Sequence, residues 1–72
     1  MVYRHMDPYE VLIEVIAEVE EAGIRLRRAE AKMVESDLAD RPGYREIAEF
    51  IGSALRNARV ASDAAARRLE EP

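Results

Sequence analysis

The chain has 72 residues, 36% of them charged and 49% hydrophobic, with a formal net charge of −4 at pH 7 and no cysteine. That length fits one domain near the lower limit of what a single core stabilises, excludes disulfides and thiolate metal sites, and carries no basic excess of the kind common in nucleic-acid-binding domains. No apolar run approaches the roughly 18 residues of a membrane span, and the first residues lack a signal-peptide pattern, so a cytoplasmic protein is the expectation.

Residues 1–6 precede any helical pattern and read as a flexible N-terminal arm. Residues 7–72 read as one helical domain. Asp7 followed by Pro8 is a helix start: a carboxylate can accept from the free amides of the first turn, and proline suits the first helical position because its missing N–H has no intrahelical partner there. From Pro8 the helical periodicity continues to about Leu38, with Gly23 its weak point. Ala39-Asp40-Arg41-Pro42-Gly43 supplies the central turn chemistry. A second helix is expected from about residue 43 to about residue 70.

The two halves mirror each other. Val15/Ala65, Val19/Ala61, Ala22/Ala58, Leu26/Ala54, Ala29/Ile51, Met33/Ile47 and Ser36/Tyr44 are each equidistant from residue 40, and Leu12/Leu69 nearly so. Each half steps by three and four residues, the spacing that keeps side chains on one helix face. The fold class that follows is all-α: an antiparallel, coiled-coil-like two-helix hairpin with this stripe as its seam. Ala54, Ala58, Ala61 and Ala65 give the second helix a narrow ridge against Val15, Val19 and Leu26 of the first.

One hairpin does not use all of the apolar surface. Ile13, Ile16, Ala17, Ile24, Ala31, Val34 and Leu38 form a second flank on helix 1, and Phe50 and Val60 are left over on helix 2. Ordering a chain of this length costs on the order of 100 kcal/mol, which a single seam at about 25 cal/mol per Å² does not offset. Self-association into a four-helix bundle, most simply a twofold homodimer, is therefore expected. The expected dimer interface comprises Ile13, Ile16, Glu20, Ile24, Arg27, Ala31, Val34, Leu38 and Phe50. Its charges Glu20 and Arg27 either reach the rim or pair between chains in an antiparallel dimer.

Glu10, Glu14, Glu18, Glu21, Arg25, Arg28, Lys32 and Glu35 line the opposite side of helix 1 as a solvated row. Arg25, Arg27, Arg28 and Lys32, with Arg56 and Arg59 at nearly the same height, are candidates for a phosphate-binding belt, since arginine gives bidentate bonds to phosphate. The alternative is surface charge, arranged with acids early and bases late in each helix as the helix dipole favours.

Catalytic and metal sites have no support. Glu14, Glu18 and Glu21 share a face, but it is the solvent face, and the one histidine, His5, precedes the helices. There is no nucleophile–histidine set and no glycine-rich phosphate loop. Tyr3, Tyr9 and Tyr44 read as caps on the bundle ends. Ser36, Ser53 and Ser62 read as packing or surface residues. The absence of glutamine and threonine, with one asparagine and one lysine against ten arginines, matches trends reported for thermophile proteins, and arginine usage also follows GC-rich coding. A non-enzymatic interaction or scaffolding module with no cofactor is expected, partnered by its own copy and by a further protein. A nucleic-acid-binding bundle is the alternative.

Overall fold

The computed structural model describes residues 7–71; the expected arm at residues 1–6 lies outside them. It contains two helices, α1 (Pro8–Glu35) and α2 (Arg45–Glu70), with a 3-10 turn at Leu38–Asp40 between them and no strand among the described residues. The helices pack along their length as an antiparallel hairpin.

The helix α1 starts as its sequence dictates. The Tyr9 amide donates to Asp7 Oδ1 at 2.9 Å, Pro8 occupies the first turn, and the Val11 amide reaches the Asp7 carbonyl at 3.1 Å. Its end differs from expectation, falling at Glu35 and not Leu38. The Ser36 hydroxyl donates back to the Lys32 carbonyl at 2.6 Å, and Asp37 turns left-handed at φ 61° with its amide on the Val34 carbonyl at 3.1 Å. A left-handed residue one step past the cap is how many helices stop. Leu38 continued the apolar period because, although outside the helix, it is still half-buried.

Arg41 to Tyr44 then close a β-turn, the Tyr44 amide donating to the Arg41 carbonyl at 3.0 Å, with Gly43 at φ 91°. Proline second and a positive-φ glycine third is the type II pattern. The helix α2 starts at Arg45, and its capping residue Tyr44 makes no side-chain cap bond. The reversal thus spans residues 36–44, a wider bend than the expected 39–43.

The seam is where the structure corrects the sequence reading. On α2 the covered residues include Ala48, Ile51, Leu55, Ala58, Ser62, Ala65 and Leu69, an unbroken three–four repeat. On α1 they include Leu12, Ile16, Val19, Gly23, Leu26, Ala29 and Met33. Val15, Ala22, Ile47 and Ala61 of the mirrored stripe are exposed, as are Ser36 and Tyr44 in the reversal, and Ile16, Gly23, Leu55 and Ser62 stand in the seam instead. Opposed residues are centred near residue 41: Val19 shares a groove with Ser62, and Glu30 with Gly52. The physical reason is width. A helix touching one neighbour buries only a narrow strip, whereas the uncharged stripe here is wide enough for two contacts, so half of it faces outward.

This packing leaves little interior. Ala65, 8% exposed, is the one buried residue among those described. The molecule measures 49 × 26 × 16 Å. Its radius of gyration is 16.0 Å, against about 11 Å for a compact domain of this length.

Candidate functional site

Three surfaces carry the residues singled out from the sequence: the basic cluster, an interhelical groove, and the uncovered apolar side chains.

The basic cluster does not form one belt. All six of its members are exposed. Arg27 and Arg59 meet at a groove between the helices, which they share with Glu20 and Asp63. Arg56 lines a second cleft with Glu30, Arg45 and Glu49, and its guanidinium donates to Ser53 Oγ at 3.1 Å. Arg25 belongs to the outward row of α1, beside Glu18, and pairs with Glu21 at 3.2 Å. Helical spacing places Arg28 and Lys32 on that same row. The structure therefore distributes the six cations over two sides of the hairpin and interleaves them with acids.

The groove itself encloses about 350 Å³ and runs beside Val19, Gly23, Ala58 and Ser62. It exists because these positions bring little bulk to the seam; a Cβ built on Gly23 would meet nothing within 4 Å. Glu20, Arg27, Arg59 and Asp63 along its rim are two acids and two bases, so it is no apolar ligand pocket.

Nothing resembling a catalytic constellation is assembled among the described residues. No group of three metal-capable side chains converges there. Ser36 is engaged with backbone carbonyls and Ser53 with Arg56. Tyr9 and Tyr44 stand half-exposed at opposite ends of the hairpin, while Tyr3 and His5 lie outside the described residues. No described helix is long and apolar enough to cross a membrane.

The apolar surface is the feature that remains. Ile24 is 48% exposed, Ile47 47% and Phe50 66%, with Ile13, Val15, Val34 and Val60 similarly open. Among the expected interface residues, Ile13, Glu20, Ile24, Arg27, Ala31, Val34 and Phe50 are exposed, whereas Ile16 and Leu38 are half-buried within the hairpin. Phe50 does not share a face with the others. Glu20, Ile24 and Arg27 open onto the same groove as Arg59 and Asp63, and on α2 Phe50 points away from that side by helical spacing.

No family model matches the chain, and no curated protein or solved structure does either.

The residues that sequence reasoning missed are Leu55, Ser62 and Gly23. Their signal was present: Ala48, Ile51, Leu55, Ala58, Ser62, Ala65 and Leu69 keep the heptad step without a break. The neighbouring stripe through Ile47, Ala54 and Ala61 is as regular and wholly uncharged, so periodicity alone had no means of ranking the two.

Proposed function

We propose that this chain is a non-enzymatic protein–protein interaction or scaffolding module that works as a homo-oligomeric helical bundle, most simply a homodimer. One observation carries the reading: with a single buried residue among those described, the hairpin leaves seven large aliphatic or aromatic side chains of its two helices, Ile13, Val15, Ile24, Val34, Ile47, Phe50 and Val60, open to water. Burial of that kind of surface is the dominant favourable term in folding, and here most of it is still unspent. Association completes what the hairpin alone leaves undone, and a bundle that forms from two short chains displays its outward charged faces to a further protein.

Sedimentation equilibrium over a wide concentration range tests this directly. The expected mass is twice that of the chain. A single-chain mass at every concentration, together with cooperative melting, overturns the proposal.

The arrangement of cations speaks against nucleic acid as the ligand, because acids interrupt both sides over which they are spread. Fluorescence anisotropy with duplex DNA and hairpin RNA at low salt is expected to show no binding. Affinity that falls steeply with salt, with a slope flattened by Arg25→Ala plus Arg28→Ala, would instead establish a phosphate-binding surface.

A further inference from the structure

The hairpin has two broad faces, and they differ in how close to the seam their charges lie. On the side of the interhelical groove, the positions bordering the seam are Ile13, Glu20, Arg27 and Val34 on α1 and Arg45, Gly52, Arg59 and Ala66 on α2. On the other side they are Val15, Ala22 and Ala29 on α1 and Ile47, Ala54 and Ala61 on α2. Four of these, Val15, Ala22, Ile47 and Ala61, are exposed, and Ala29 and Ala54 are half-buried at the edge of the seam. A helix in a four-helix bundle faces two neighbours, so its core stripe is wider than a two-helix seam and leans toward the second partner.

We infer that a second copy of this chain docks on the face of Val15, Ala22, Ile47, Ala54 and Ala61, with α1 running antiparallel to α1 of its partner about a point near Gly23. The inference rests on the homo-oligomeric reading and specifies which surface it uses. Three observations support it.

The first is area. The chain presents 6084 Å² of accessible surface, whereas a compact monomer of its mass presents about 4,500 Å². A standard interface covers about 800 Å² per partner, so the excess is more than enough for one.

The second is the cost of the alternative. Docking through the groove side would enclose Glu20, Arg27, Arg45 and Arg59 of each chain, and every buried ion carries a desolvation penalty that pairing only partly offsets. The other face encloses none of these four, and its own charges, Glu18 and Arg25 among them, stand one position further from the seam, at its rim. Ala54 and Ala61 also let two copies of α2 approach closely, small side chains facing small.

The third is the sign pattern along the edge of that face. Glu14, Glu18 and Glu21 lie on the N-terminal side of Gly23, and Lys32, Arg28 and Arg25 lie at matching distances on its C-terminal side. An antiparallel copy brings each acid against a base of the partner. Glu10 and Glu35, at the two ends, are the exception. A parallel pairing of the same edges would set like charges against each other throughout. Packing α1 against the partner's α2 would oppose the row to a strip with Glu46 and Arg68 at its ends and the uncharged Phe50, Ser53, Asn57 and Ala64 between them, which leaves most of the row without a charged counterpart.

The test compares the two faces. Ala22→Glu with Ala61→Glu places charges on the proposed face at positions already exposed in the hairpin; Ile24→Glu with Ala66→Glu does the same on the groove side. In sedimentation equilibrium the first pair is expected to weaken the dimer by about 100-fold or more, and the second by no more than a few-fold. The reverse ranking overturns the inference while leaving the homodimer standing. A wild-type chain that stays monomeric overturns the homodimer itself.

Should the first pair fail to fold, single cysteines settle the question, since the chain has none of its own. Thiol labelling at Ala61→Cys is expected to slow as protein concentration rises, and at Ala66→Cys to stay constant; equal behaviour at both overturns the proposed face. Orientation has its own readout. A chain with Glu14, Glu18 and Glu21 changed to Arg, mixed with one in which Arg25, Arg28 and Lys32 are changed to Glu, is expected to form heterodimers in preference to either homodimer. A statistical mixture overturns the antiparallel pairing.

Discussion

At the scale of single residues, two backbone positions decide how the chain reverses. Gly43 sits at φ 91°, where a Cβ is strained even though open space surrounds it. Gly43→Ala is expected to lower stability by about 1 kcal/mol or more, read as a lower melting temperature with the helical signal retained. Asp37 is the opposite case: it takes the left-handed conformation at φ 61° with a side chain in place, and its negative charge lies at the C-terminal end of α1, where the helix dipole disfavours it. Asp37→Gly is expected to stabilise the hairpin by about 0.5–1 kcal/mol, and an unchanged or lower melting temperature would show that Asp37 contributes a compensating contact. The Asp7-Pro8 start and the Pro42-Gly43 turn were legible because each is a local rule carried by the residues themselves. The stop at Ser36-Asp37 was not, because serine and aspartate are compatible with several local structures and only the chain's change of direction selects one.

At the scale of the helices, the issue is which strip of α2 meets α1. Leu55 is half-buried at the seam and Val60 is exposed on the far side. Leu55→Ala is expected to cost about 1–2 kcal/mol, below the range for fully buried leucine because part of the side chain is already wet. Val60→Ala is expected to change stability by less than about 0.5 kcal/mol. Chemical denaturation of the two variants reads the difference, and equal costs would mean that α2 is rotated from the position described. Within α1, Gly23→Ala removes the weak point of the helix without meeting any neighbour. A gain of about 1 kcal/mol is expected from helix propensity, and a loss would show that the groove beside Gly23 is occupied in solution. The mirrored stripe was readable as a pattern, yet its meaning was not: four of its helical members look outward because contact with one helix covers only a strip.

For the molecule as a whole, surface in excess of a compact monomer makes stability depend on concentration. If folding is completed by a second copy, each tenfold dilution removes about 1.4 kcal/mol from the dimer, and the melting temperature is expected to fall by several degrees per decade. Calorimetry across two decades of concentration checks this, and a melting temperature independent of concentration would place all of the stability within one chain. The charged exterior belongs to the same scale. Just two ion pairs form among the described residues, Glu21–Arg25 and Arg68–Glu71, both well exposed and each of the kind worth well under 1 kcal/mol. Intrachain pairing therefore does little to hold the hairpin, and most charges remain available to organise contacts between chains.

The sequence by itself determined the class of object: two helices with their starts, a reversal near residue 40, a wide uncharged stripe, and a row of acids followed by bases. These are properties of neighbours along the chain and of the 3.6-residue repeat, so they need no knowledge of what lies across from them. Only the tertiary structure decided the rotation of each helix about its axis, and with it which half of the stripe is spent inside the hairpin and which half is left for another molecule. That choice turns on whether Leu55 and Ser62 or Ile47 and Ala61 face α1, two arrangements a few tens of degrees apart that periodicity describes equally well and that packing tells apart.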